Sequence, residues 1–172
     1  MSTEAARIAG RTMFDTLTRA DLPPVLGPVA ERGWMVVDDA VLLRAWYESY
    51  FGERSTFSET LDYEIAVNGR GIPDLDLTYE GEARAAALLR RGAAFAWAAL
   101  HQANREMPST RLAAYVSVAP ILMDPHRFTG NVTFCALRPG QPAYIDPVHA
   151  TDDVVLAAFS EDCTKPLPSS DP

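Results

Sequence analysis

Apolar and polar residues alternate in two stretches of the chain, at positions 61–68 and 74–79. A period of two is typical of a half-buried strand. Between the two stretches, Asn68-Gly69-Arg70-Gly71 supplies residues that tolerate a positive φ angle, as tight hairpin turns require. The pattern therefore predicts a β-hairpin. Its solvent face would carry four carboxylates, those of Asp62, Glu64, Asp74 and Asp76.

Helical periodicity marks three other segments. Residues 3–20 form an amphipathic pattern that ends before two prolines, and residues 41–50 form a wide apolar stripe that Asp38 or Asp39 can cap. The longest pattern covers residues 80–105, where an Ala-rich centre leaves apolar side chains around nearly the whole circumference. A helix of this kind is expected to pack against a sheet.

From residue 111 onward the period changes to two. It predicts strands at 112–118, 132–136 and 143–145, separated by proline and glycine. Residues 152–159 fit either a final strand or a short capped helix, and we favour the strand. We therefore expect one α+β domain over residues 1–163, a mainly antiparallel sheet packed against two to three helices, followed by a disordered tail at 164–172. The strand order and the oligomeric state are left open by the sequence.

Charge is distributed unevenly along this chain of 172 residues. The formal net charge is −8, and positions 53–82, with eight acidic and two basic residues, account for −6 of it. Acids that face one another across a hairpin destabilise it by roughly 0.2–1 kcal/mol per pair, so the arrangement favours a role such as binding a cationic partner. No cluster of arginine or lysine suggests nucleic-acid binding, and no apolar run suggests a membrane span. A cytoplasmic location is expected.

Two Asp-His pairs are the candidates for catalytic chemistry, namely Asp124 with His126 and Asp146 with His149. An Asp-oriented histidine can act as a general base, and histidines with a carboxylate can bind a divalent metal. Both pairs lie in proline-rich turns, where aspartate commonly closes the turn through its own side chain, and we favour that interpretation. Cys135 lies in an apolar strand pattern and is interpreted as a packed thiol. No metal-ligand spacing, phosphate-binding loop or other cofactor motif occurs, so no cofactor or metal is expected.

Three functions remain open from the sequence, one of them a secretion chaperone or scaffold subunit, which an exposed apolar patch on the first or second helix would mark. The first is a small acidic domain that docks on a basic protein and inhibits it; Arg70, at the tip of the predicted hairpin, would reach into the partner's cleft. In size, charge and lack of catalytic motifs the chain is similar to bacterial immunity proteins, although no motif carries this similarity. It implies a toxin as the partner, such as a nuclease or an NAD-consuming enzyme. The alternative is a lyase, isomerase or cyclase that uses one Asp-His pair as its base.

Overall fold

A 26-residue helix and a four-stranded antiparallel sheet form the centre of the computed structural model, which describes residues 1–150 and 154–169. The helices and strands follow one another along the chain as α1 (Thr3–Ala9), α2 (Gly27–Glu31), β1 (Trp34–Val37), β2 (Ala40–Leu43), α3 (Arg44–Tyr47), α4 (Thr60–Asn68), β3 (Gly69–Gly71), α5 (Gly81–Glu106), β4 (Leu112–Ile121), β5 (Asp124–Ala136) and β6 (Val154–Phe159). Short 3₁₀ helices lie at Met13–Thr16, Arg19–Asp21, Arg54–Thr56 and Ser160–Asp162. The predicted α+β class, with a mainly antiparallel sheet, is confirmed.

The strand order in the larger sheet is β3-β5-β4-β6, and every pairing in it is antiparallel. Side chains alternate between its two faces, so that Ala114, Val116 and Phe134 belong to the main core while Tyr115 and Cys135 belong to a cluster on the opposite face. The predictions at 112–118 and 132–136 are confirmed within β4 and β5. The favoured final strand is β6, and positions 152 and 153 lie outside the described residues. Positions 143–145 do not form a strand.

Helix α5 matches its prediction within one residue at each end and covers one face of the sheet. Its small residues allow close approach: a Cβ atom built on Gly92 would lie 2.5 Å from a methyl group of Val116 in β4. Phe95 packs edge-on against Phe134 of β5, with ring centroids 5.5 Å apart. The apolar circumference of the sequence pattern therefore corresponds to a helix buried along most of its length.

The helix predicted at 41–50 is wrong except over residues 44–47. Strands β1 and β2 form a two-stranded hairpin there, and the helix is only the four-residue α3. Asp38 and Asp39, interpreted as a helix cap, form the hairpin turn with φ angles of 47° and 67°. Aspartate tolerates this left-handed conformation better than most residues, and a short apolar run does not distinguish a strand from a helix. The helix predicted at 3–20 is shorter too, because α1 ends at Gly10 with φ 82°.

The predicted acidic hairpin is also wrong. Residues 61–68 lie in α4, only Gly69–Gly71 forms a strand, and residues 74–79 form neither helix nor strand. The buried face of α4 consists of Tyr63, Glu64, Val67 and Asn68. Two of these four residues are polar, so the burial pattern does not follow hydrophobicity, and the short segment imitates the alternation of a strand.

The described part of the predicted tail contacts the rest of the domain. The Trp97 indole donates a hydrogen bond to the carbonyl of Lys165 (2.8 Å), the Arg19 amide donates to the carbonyl of Pro168 (2.9 Å), and Leu167 packs against the main core. Residues 170–172 lie outside the described part of the chain. Among the helices that the structure describes, none is both long and apolar enough to cross a membrane.

Candidate protein-binding surface

Glu64, one of the four predicted docking acids, is completely buried. Its carboxylate accepts hydrogen bonds from the amides of Val41 (2.7 Å) and Ala136 (2.9 Å) and forms an ion pair with Arg138 at 2.6 Å. A buried carboxylate needs partners of this kind, because desolvation of an unpaired charge is very costly. Glu64 is therefore a structural residue, and its predicted contact with a partner is wrong.

The other three predicted acids differ in their surroundings. Asp74 forms an ion pair with the buried Arg84, and Asp76 forms one with Arg91. The hydrogen bond from Arg91 lowers the pKa of Asp76 to about 2. Asp62 is exposed, and it has no ion pair with any residue in the described ranges. The structure thus disperses the four carboxylates that the predicted hairpin would have placed together.

Arg70 lies in β3 and is partly buried. Its guanidinium donates to the carbonyl of Gly69 (2.7 Å) and lies over the Trp46 ring, 5.6 Å from the centroid. Cation–π contact and hydrogen bonds to the backbone hold the side chain against the domain. The prediction of a mobile arginine at a hairpin tip is therefore wrong.

The Asp146–His149 pair lies in an exposed turn, as expected, whereas Asp124 and His126 are among the first residues of strand β5 and follow the turn at 122–123. The carboxylate of Asp124 accepts a hydrogen bond from the His126 amide (2.9 Å), and that of Asp146 contacts His149 Nδ1 (2.7 Å). The His149 side chain is 82% exposed. Within the described residues no group of three or more His, Cys, Asp or Glu side chains is arranged to hold a metal ion. The buried Cys135 thiol has its pKa raised to about 12, chiefly by desolvation, which makes it a poor nucleophile.

A second apolar cluster lies apart from the main core, where the β1–β2 hairpin meets α4. Its buried members are Ala40, Leu42, Tyr63 and Val67, and five partly exposed side chains cover them: Met35, Val37, Tyr47, Tyr50 and Phe57. We call these nine residues the Tyr63 cluster. Tyr50 and Phe57 pack on the Tyr63 ring with centroids 6.1 Å and 5.5 Å away. The Arg54 guanidinium lies 5.3 Å from the same centroid.

Exposed acids accompany this cluster. Five of them lie on the segments that build it, and none forms an ion pair with a residue that the structure describes: Asp38, Asp39, Glu53, Glu59 and Asp62. Desolvation raises the pKa of Tyr63, and the nearby charge of Asp38 contributes to the shift. Phe51, in the same part of the chain, is 98% exposed. The surface thus combines partly exposed aromatic rings with acids that form no ion pair within the described residues.

Sequence reasoning recognised the charge of this region but not the aromatic surface. It placed the acids on a hairpin that the structure does not contain, and tyrosine is intermediate in its burial, so residue type alone does not indicate an exposed ring. The number of aromatic residues between positions 46 and 63 was the available signal. Which of their rings stay partly exposed depends on the packing of α4 against β2.

Comparison of the chain with protein-family models, with curated proteins and with solved structures finds no match.

Proposed function

We propose that this protein is a binding domain that docks on a basic protein through the Tyr63 cluster and its acidic surroundings. One observation carries the proposal: partly exposed aromatic rings lie together with five exposed acids that have no ion pair within the described residues. The few residues that dominate the binding energy of protein interfaces are enriched in tyrosine, tryptophan and arginine, and surface charge steers an oppositely charged partner.

The expected partner carries lysine or arginine around an apolar centre. Its cations would form ion pairs with Asp38, Glu59 and Asp62, and its apolar side chains would cover Tyr47 and Tyr50. Inhibition of that partner, as an immunity protein inhibits a toxin, is part of the same proposal. A cytoplasmic location is part of it too.

The catalytic alternative has less support from the geometry. A general base works best in a cleft that excludes water and holds the substrate within hydrogen-bond reach. The His149 side chain is 82% exposed, and His126 is exposed as well. Binding through the Tyr63 cluster therefore explains more of the observed surface than catalysis by either Asp-His pair.

Two charge-reversal variants with the same net charge test the proposal. The cluster variant combines Glu53→Lys, Glu59→Lys and Asp62→Lys. The control variant combines Asp15→Lys, Glu80→Lys and Asp162→Lys, which change three exposed acids elsewhere that also have no ion pair in the described part of the chain. Circular dichroism establishes that both variants are folded.

Each tagged protein is used to capture partners from a lysate of the source organism over a series of salt concentrations. We expect a basic protein that the wild type and the control variant retain at low salt, that the cluster variant does not retain, and that rising salt releases. Equal retention by the two variants would contradict the proposed surface. A captured partner is then assayed for inhibition with the purified wild type.

A further inference from the structure

A pocket lies between α2, α5 and the C-terminal segment, away from the Tyr63 cluster, and encloses about 230 Å³. Ala98, His101, Gln102 and Arg105 of α5 form one wall. Their spacing of three and four residues places them along one face of the helix. The opposite walls come from α2 with the preceding 3₁₀ helix, and from Pro166 and Leu167.

The floor of this pocket is apolar. It includes Leu22, Ala30, Ala98 and Leu167, of which Ala30 is buried and the others are partly buried. Hydrogen bonds from the Trp97 indole to the carbonyl of Lys165 and from the Arg19 amide to the carbonyl of Pro168 hold the C-terminal wall on either side of Leu167. The pocket is smaller than the 300–1,000 Å³ typical of sites for drug-sized ligands, and so it suits a small organic molecule.

The rim has more positive than negative charge, although the whole chain is acidic. Arg19 and Arg105 line the pocket together with a single acid, Glu31. The Arg19–Glu31 ion pair is long, at 3.3 Å, and both side chains are mostly exposed, so it is a weak interaction. Arg105 forms no ion pair with any residue in the ranges 1–150 and 154–169. The pocket is thus lined by one guanidinium without an ion pair in these ranges, that of Arg105, and by one that is only weakly paired, that of Arg19.

His101 adds a hydrogen-bonding group to the same wall. Its Nδ1 lies 3.1 Å from the carbonyl oxygen of Cys163. A carbonyl oxygen only accepts hydrogen bonds, so in the neutral ring Nδ1 carries the proton and Nε2 is an acceptor. A hydroxyl or amino group of a ligand would donate to this nitrogen.

We propose that this pocket binds a small organic carboxylate whose apolar body, aromatic or branched, lies on the alanine and leucine floor and whose carboxylate pairs with Arg105 and Arg19. The planar guanidinium fork matches a carboxylate in shape and charge. The site is independent of the proposed docking surface, because no residue named for the pocket belongs to the Tyr63 cluster.

The test is a titration of the full chain with 3-phenylpropionate, followed by NMR of the methyl groups of Ala30, Ala98 and Leu167. The uncharged analogue 3-phenylpropionamide is titrated in parallel. The binding variant combines Arg19→Gln and Arg105→Gln. Arg11→Gln is the matched control, since Arg11 is exposed and has no ion pair within the described residues.

We expect saturable shifts of these methyl signals at millimolar carboxylate. The dissociation constant should rise about tenfold or more for the amide and for the double variant, and should not change for Arg11→Gln. A second variant, Ala98→Leu, should weaken binding by occupying the floor. The proposal is overturned by the absence of saturation, by shifts confined to other methyl groups, or by equal affinity in the wild type and the double variant.

Discussion

Helices α4 and α5 both pack against the four-stranded sheet, but they do so with different chemistry. Eleven of the twelve buried residues of α5 are apolar side chains or glycine, the exception being Arg84. Of the four buried residues of α4, Glu64 and Asn68 are polar. Apolar packing depends on volume and shape and tolerates small adjustments. A buried polar network depends on every partner being present.

The polar side chains of α4 connect the two sheets, whose backbones do not pair with each other. Glu64 accepts from the amide of Val41 in β2 and from the amide of Ala136 in β5. Asn68 accepts from the Leu43 amide (2.9 Å) and donates to the carbonyls of Val41 (2.8 Å) and Phe134 (3.2 Å). These side chains satisfy backbone groups that a continuous sheet would have paired. The short helix therefore holds the β1–β2 hairpin, and with it the Tyr63 cluster, in place.

Among these substitutions, Glu64→Ala is expected to cause the largest loss in the free energy of unfolding. It leaves two buried amides without their acceptor and removes the carboxylate that pairs with Arg138, whose guanidinium keeps its hydrogen bond to the Asp39 carbonyl. Removing one partner of a buried ion pair typically costs about 3–5 kcal/mol. Urea unfolding should show this loss in the free energy of unfolding. Asp62→Ala, on the exposed side of the same helix, should stay within about 0.5 kcal/mol of the wild type. A similarly small effect for Glu64→Ala would refute the proposed role of the network.

Asn68→Ala is expected to cause the next largest loss in the free energy of unfolding. One amide and two carbonyls lose their side-chain partner, and each unsatisfied buried group costs about 1–3 kcal/mol before water or relaxation compensates. We expect a loss of about 2–4 kcal/mol by urea unfolding. Hydrogen exchange at the Leu43 amide should accelerate more than exchange in β4. Uniform acceleration across both sheets would indicate general destabilisation instead of release of the hairpin.

For α5 the corresponding test is Gly92→Ala. The added methyl group would lie 2.5 Å from Val116 and 2.7 Å from Ile72, and overpacking of this kind costs about 1–3 kcal/mol. Alanine favours a helix over glycine by about 1 kcal/mol, which offsets part of the cost. We expect a net loss of about 0–2 kcal/mol in the free energy of unfolding.

Replacement of Ile72 by Val should reduce the cost of Gly92→Ala in a double-mutant cycle, because it removes one of the two opposing methyl groups. Stabilisation by Gly92→Ala alone would show that helix propensity outweighs the packing of α5 against β4.

The contrast between the apolar packing of α5 and the polar network of α4 explains which elements the sequence predicts well. Strands β4 to β6 and helix α5 bury their residues according to hydrophobicity, so period and side-chain type indicate both the element and its inner face. Helix α4 buries Glu64 and Asn68 against backbone groups from distant parts of the chain, which no local pattern reveals. The turn at Asp38 illustrates the same limit, because an aspartate before an apolar run fits a helix cap as well as a hairpin turn.

The candidate surface could be predicted only in part. Its negative charge follows from composition, and Asp62 is the one predicted docking acid that lies exposed at the Tyr63 cluster. Glu64, Asp74 and Asp76 have intramolecular partners because arginines distant in sequence approach them in the fold. The distribution of charge along a chain can be read from the sequence, whereas the pairing of an acid with an arginine of the same chain depends on the tertiary structure.

The smallest effect is expected for Asp76→Asn, which removes an ion pair with Arg91 at the surface of α5. Pairing lowers the pKa of Asp76 from 3.8 to about 2. The folded protein therefore holds this carboxylate charged more strongly than the unfolded chain does. The resulting stabilisation is present above pH 3.8 and is lost as the pH falls through about 2. The variant should thus lose less stability than the wild type over that interval.

Urea unfolding across this pH range, at low and high salt, measures the difference in stability between the wild type and Asp76→Asn. This difference should be small and should decrease in high salt, because the Asp76 side chain is 70% exposed. Asp62→Asn is the matched control, since Asp62 is exposed and has no ion pair within the described residues; its pH profile should follow the wild type. Identical profiles for all three proteins would mean that the Arg91 pair adds nothing to the stability of α5. The long helix would then depend on its apolar packing and on more buried contacts such as the Arg84–Asp74 pair, and the exposed charge at Asp76 would play no part.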